Sequence, residues 1–86
     1  MQIVYSRDAL KFLKKQDAKT VARIRKAIDG LTRNPPVGDI KPLEGSKSGR
    51  MRLRVGGFRV IYQYGADHSV TILFVIDIGS RGDIYK

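Results

Sequence analysis

The residues best placed to do chemistry are four arginines, Arg50, Arg52, Arg54 and Arg59, in a stretch (50–64) that holds no Asp or Glu. A guanidinium offers a planar fork of donors that grips phosphate oxygens in pairs and never loses its charge. Residues 50–55 alternate as Arg-Met-Arg-Leu-Arg-Val, the period of a strand with one wet and one buried face. Gly56-Gly57 supplies a two-residue hairpin turn, and Phe58 to Tyr64 reads as the return strand. In that register Val55 faces Phe58, Arg54 faces Arg59, Leu53 faces Val60 and Arg52 faces Ile61. Met51, Leu53, Val55, Phe58, Val60 and Tyr62 then share an apolar face, and the arginines share the other. Arg54 opposite Arg59 is unfavourable by roughly 0.2–1 kcal/mol. A strand built only for stability would mix in acids, so the cluster reads as a phosphate-binding surface rather than a solvated face.

Other chemistry-bearing residues are sparse. His68 is the only histidine and stands in Ala66-Asp67-His68-Ser69, where an exposed turn residue is the simpler reading than a catalytic one. There is no cysteine, and no close His/Asp/Glu cluster suggests a metal. Tyr62 and Tyr64 fall on the apolar face and read as core, and Tyr5 closes a first strand. Tyr85, next to the last residue and after Arg81, reads equally as packing or as function. Asp77 lies in an apolar strand and, if buried, needs a partner such as an arginine.

The elements that must hold these residues follow from periodicity and punctuation. Residues 2–5 form a short strand. Ser6 caps a helix over 7–15, with Leu10 and Leu13 or Ala9 and Phe12 turned inward. Asp17 caps a second helix whose Val21, Ile24, Ala27, Ile28 and Leu31 recur at helical spacing among basic residues. Asn34-Pro35-Pro36 ends it. Residues 37–49 read as loop, with a short edge strand over Lys41 to Leu43. After the hairpin, Gly65 to Ser69 turns the chain, Val70 to Ile78 is a strongly apolar central strand, and Gly79 ends it. The order β-α-α-β-β-β predicts an α+β fold, a two-helix hairpin on a mostly antiparallel sheet.

Size and charge bound the function. The 86 residues, 42% hydrophobic, suit a single domain over 1–86. The longest apolar run, Ile72 to Ile76, has strand length, so no membrane span is expected. The start MQIVYSRD lacks the basic n-region and apolar h-region of a signal peptide, which points to the cytoplasm. Seventeen Lys and Arg against eight Asp and Glu give a net charge of +9, the balance of a domain that meets a polyanion.

Fragments along nearly the whole chain resemble the RelE/ParE superfamily of toxins from prokaryotic toxin–antitoxin pairs. They are Ala9-Leu10-Lys11, Arg23-Ile24 with Ala27-Ile28, Asn34-Pro35, Lys41-Pro42-Leu43-Glu44-Gly45, Gly57-Phe58-Arg59-Val60-Ile61-Tyr62, and Ile78-Gly79-Ser80-Arg81 before Asp83-Ile84-Tyr85. The resemblance implies a RelE-like fold and, for the RelE-like branch, a ribosome-dependent mRNA endonuclease (an mRNA interferase) that cuts in the A site and inhibits translation. Such enzymes work without metal or cofactor: the 2′-hydroxyl attacks the adjacent phosphate, leaving a 2′,3′-cyclic phosphate and a 5′-hydroxyl.

Matched to the family's functional set, Arg50 and Arg52 fall at the two first-strand positions and Arg59 at the Gly-aromatic-Arg position. Arg81 follows Gly79-Ser80, and Tyr85 is the terminal tyrosine. Arg54, Lys41 and Lys47 would bind neighbouring RNA. RelE itself carries lysines at the first-strand positions, one of them its proposed general base, and arginine is a poor proton acceptor. Several relatives have His where this chain has Ser80. The implied partners are a RelB-like antitoxin, the ribosome with its mRNA, and operator DNA reached as a toxin–antitoxin complex. Two other readings stand beside this one: a ParE-like inhibitor of DNA gyrase, and a catalytically inactive nucleic-acid-binding module.

Overall fold

The computed structural model describes residues 1–43 and 49–80. Strand β1 (Gln2–Tyr5) leads into helix α1 (Arg7–Lys14) and helix α2 (Ala18–Asp29), which continues as a 3-10 turn over Gly30–Thr32. Four strands follow: β2 (Asp39–Pro42), β3 (Met51–Val55), β4 (Phe58–Asp67) and β5 (Val70–Ser80). They form one sheet in the order β1-β5-β4-β3-β2. β1 runs parallel to β5, and the remaining pairs are antiparallel. The expected α+β fold is therefore present, as two helices on a mixed, mostly antiparallel sheet.

Local chemistry starts each helix where the sequence places it. Ser6 Oγ accepts from Ala9 N at 3.0 Å and Asp17 Oδ1 from Thr20 N at 2.8 Å, which satisfies amide donors that have no intrahelical partner. Hydrogen bonding from the Thr20 side chain, and then from its backbone N–H, holds the Asp17 carboxyl below its ordinary pKa. Eight residues are too few for α1 to stand alone. It is held by packing on β5, with Ala9 and Leu13 buried and Leu10 left exposed. α2 lies over β3 and buries Ile24 and Ile28, and Leu31 follows them into the core. From the sheet come Leu53, Val55, Val60, Tyr62, Leu73, Val75 and Ile78. Each fully buried aliphatic side chain contributes about 1.5–3 kcal/mol.

Several boundaries differ from the sequence reading. The edge strand is Asp39–Pro42 rather than Lys41 to Leu43. β4 passes through Gly65 to Asp67, and β5 continues through Gly79 to Ser80. The connection between them shrinks to His68-Ser69, with His68 at φ 57°. The β4–β5 ladder carries on past Tyr64 and Ile78, so the two glycines that read as breaks are paired within it, Gly65 with Ile72 and Gly79 with Arg59.

One irregularity matters for function. Tyr62 pairs with Val75 but Ile61 pairs with Asp77, so Ile76 is an extra residue on β5. Such a bulge reverses which face the following side chains take. Strict alternation from buried Val75 would send Asp77 into the core and Ile78 outward. With the bulge, Ile78 is buried and Asp77 is exposed on the opposite face. Asp77 is thus not the buried carboxylate that its apolar surroundings suggested. Ser6 anchors the bulge: its N donates to Val75 O at 2.9 Å and its Oγ to Ile76 O at 2.6 Å.

Candidate nucleic-acid interface

The hairpin register is the expected one: Met51 pairs with Tyr62, Arg52 with Ile61, Leu53 with Val60, Arg54 with Arg59, and Val55 with Phe58. Only the first turn glycine needs positive φ (Gly56, 59°), the pattern of a II′ hairpin. The Arg23 guanidinium from α2 occupies the space a Cβ on Gly56 would take.

Paired residues share a face, so two rows run across the sheet away from the helices. One is Asp39–Arg54–Arg59–Gly79 and the other Lys41–Arg52–Ile61–Asp77. Arg50, just before β3, is exposed, and its carbonyl accepts from Leu43 N at 3.0 Å. Arg50, Arg52, Arg54, Arg59 and Lys41 are thereby brought to one region. Lys47, Arg81 and Tyr85 lie outside the described residues.

The arginines are not a uniformly wet row. Arg52 is only 6% exposed and its neighbour Ile61 equally so. Their charge is partly offset by an acid the hairpin itself lacks. Asp39, on β2, stands with Oδ1 3.7 Å from Arg52 Nη2 and Oδ2 3.9 Å from Arg54 Nε. Both separations exceed hydrogen-bond length. Arg52 Nη2 and Arg54 Nε are buried and have no hydrogen-bond partner among the described residues. A buried donor without a partner costs free energy.

Sequence reasoning missed Asp39 because it sits in a Gly/Pro-rich stretch read as loop, and cross-strand position alone makes it a partner. It also missed the other half of this face, where Val4 pairs with Phe74 beside Ile72 and both Val4 and Phe74 are exposed. The open face is thus basic over β2–β4 and apolar over β5–β1. On the helix side of β3, a groove of about 560 Å³ is lined by Arg23, Lys26 and Arg33, with Asp29 among them, over Ala27 and Leu53. The spacing of the first three around α2 was visible in sequence, but their meeting with β3 was not.

The other candidates fall away from this region. His68 is exposed, 3.7 Å from Asp67 at the β4–β5 turn. The ten-residue length of β4 puts it roughly 25–30 Å from Arg59. Tyr64 donates its hydroxyl to Leu31 O at 2.7 Å, and its ring meets Tyr62 edge-on at 5.6 Å. Burial pushes the Tyr62 phenol up to about 12 and raises that of Tyr64. Burial also raises that of Tyr5, whose ring lies 5.4 Å from the Arg25 guanidinium. Among the described residues no three His, Cys, Asp or Glu side chains come together, and no helix is long and apolar enough to cross a membrane.

Solved structures of this architecture include toxins of toxin–antitoxin pairs. The fold superposes on the YoeB/ParE toxin from Agrobacterium tumefaciens with a TM-score of 0.76 at 25% identity, covering 94% of this chain and 99% of that one. The isolated E. coli RelE toxin gives 0.65 at 26% identity, over 98% and 89%. An archaeal RelE–RelB complex from Pyrococcus horikoshii gives 0.71 at 22% identity, over 94% of each chain. No curated protein matches the sequence. Residues 3–85 match the ParE toxin of type II toxin–antitoxin systems, parDE. The chain belongs to that family, and its fold is that of the RelE-like toxins.

Proposed function

We propose that this toxin is an mRNA endonuclease acting on the translating ribosome. The observation that carries this reading is the row of arginines on one sheet face, Arg52 and Arg54 on β3 with Arg59 directly across from Arg54 on β4. An RNA phosphate complements the charge of that row, which Asp39 offsets only in part. In this mechanism Arg59 and Arg81 clamp the scissile phosphate and stabilise the charge that develops on it. Arg50 and Arg52 hold the flanking backbone, and Tyr85 stacks on a base or moves a proton. Arg54, Lys41 and Lys47 bind RNA on either side. The protein operates in the cytoplasm, and a RelB-like antitoxin neutralises it; relatives of this fold have been crystallised as RelE–RelB and DinJ–YafQ complexes, which supports such a partner. Operator DNA is met by the pair rather than by the toxin alone.

A second reading has its own support. The family matched is that of the ParE toxins, and a basic surface also fits a DNA-bound target such as gyrase. Incubating the purified protein with programmed ribosomes, and separately with gyrase and plasmid, separates the two. New 5′-hydroxyl and 2′,3′-cyclic phosphate ends in the A-site codon support the nuclease. Intact mRNA with blocked supercoiling overturns it in favour of the gyrase inhibitor.

A further inference from the structure

The arginine row lacks a group that can accept a proton, since guanidinium stays protonated. The missing group is on the same face. We propose that the Asp77 carboxylate is the general base that takes the 2′-hydroxyl proton, an inference that rests on the ribonuclease reading above.

Three observations converge on Asp77. First, the bulge at Ile76 turns Asp77 out of the core and onto the arginine face, in the row Lys41–Arg52–Ile61–Asp77. Bulges re-aim side chains in this way beside active sites. Second, Asp77 and Arg52 flank the buried Ile61 from the two neighbouring strands. Two strand spacings separate their backbones by about 10 Å, a span that a ribose and its phosphate fill. Arg59 is the diagonal neighbour on β4, one pair along from Ile61 on that face. Third, Asp77 is exposed, and Ile78 N donates to its Oδ1 at 3.0 Å. That bond engages Oδ1, so the proton is assigned to Oδ2. Asp39 is held between Arg52 and Arg54, and Asp67 and His68 lie a strand's length away at the far end of β4.

The step balances without a further reactant. Asp77 Oδ2 takes the proton from the 2′-hydroxyl as O2′ attacks phosphorus. The O2′–P bond forms and the P–O5′ bond breaks. The departing O5′ takes a proton from water, giving the cyclic phosphate and a 5′-hydroxyl, and Asp77 returns its proton to solvent.

The test uses single-turnover cutting of mRNA on programmed ribosomes by the wild type, Asp77→Asn, Asp77→Ala and Lys41→Gln. Asn keeps the acceptor for Ile78 N and removes only the base, so Asp77→Asn is expected to bind ribosomes normally and to cut at least ~100-fold more slowly. Formate should restore part of the cutting by Asp77→Ala, where it can stand in for the lost carboxylate, and none of that by Asp77→Asn. Asp77→Asn within about threefold of wild type, failure of formate to act on Asp77→Ala, or abolition by Lys41→Gln with Asp77→Asn still active overturns the inference while the nuclease reading stands. If the wild type does not cut, the nuclease reading fails and this inference falls with it.

Discussion

Arg54 stands directly across the hairpin from Arg59, and the carboxylate that offsets this pair belongs to neither strand. It is Asp39, Arg54's partner on the far side, with its two oxygens 3.7 and 3.9 Å from Arg52 and Arg54. The edge strand β2 therefore does electrostatic work beyond closing the sheet. Asp39→Asn should lower stability by about 1 kcal/mol, the exposed half of the pair being screened and the buried Arg52 losing its counter-charge. For a domain of this size that is a fall in Tm of about 4–8 °C. The same change should tighten binding to a generic RNA at low salt. A variant as stable as the wild type would show that Asp39 is incidental.

The hairpin was legible in sequence because two independent signals agree on it. Strict alternation over 50–55 fixes the faces, and Gly56-Gly57 fixes the register. The caps at Ser6 and Asp17 were legible for a similar reason, since a short polar side chain immediately precedes each helical pattern. Asp39 and Asp77 were not. Asp39 acts through a cross-strand neighbour thirteen to fifteen residues away in sequence, Arg52 and Arg54. Asp77 depends on one inserted residue in an apolar run, Ile72 to Ile78, where nearly every position is hydrophobic and alternation carries no information. The parallel pairing of β1 with β5 joins the two ends of the chain and leaves no local trace. Arg81 and Tyr85 lie outside the described residues.

Ser6 ties the start of α1 to the bulge, accepting from Ala9 N and donating to Ile76 O. Ser6→Ala removes the cap and leaves that carbonyl short of a donor. The expected cost is about 1–2 kcal/mol, read as a lower urea midpoint with an unchanged slope. If Asp77 is the base, ribosome-dependent cutting should fall as well, because the bulge that aims it loses its anchor.

The two turn glycines should respond differently. Gly56 has positive φ and the Arg23 guanidinium against it, whereas nothing lies within 4 Å of a Cβ on Gly57. Gly56→Ala is expected to cost about 1–2 kcal/mol of backbone strain and to displace Arg23. Gly57→Ala should change stability by less than about 0.5 kcal/mol. Thermal unfolding of the two variants, side by side, checks this. Equal costs would mean that the turn is not of the II′ type.

Alkaline stability follows from the buried phenols. Unfolded tyrosines lose their protons near pH 10, while burial raises Tyr5, Tyr62 and Tyr64 in the folded state, Tyr62 to about 12. The folded protein thus holds protons that the unfolded chain has released. Stability from this source is complete below pH 10 and is lost as pH climbs toward 12. Urea unfolding in steps across this range should show the decline. Tyr62→Phe should flatten it, and an unchanged decline in that variant would exclude Tyr62 as its source.

Arg50 and Arg52 flank the same RNA path in the proposed mechanism but are embedded differently, and the difference is measurable. Arg50 is exposed, so Arg50→Ala should leave Tm within error and reduce the slope of log binding against log salt by about 0.7, the increment for one phosphate contact on a single strand. Arg52 is buried beside Ile61 and near Asp39, so Arg52→Ala should lose that contact and also destabilise the fold by about 1–3 kcal/mol, through the stem it packs and the carboxylate it leaves. Salt titrations of RNA binding, run with thermal unfolding on both variants, separate the two effects. If neither variant altered the salt slope, the arginine face would not be where the phosphates lie, and the nuclease reading would lose the observation that carries it.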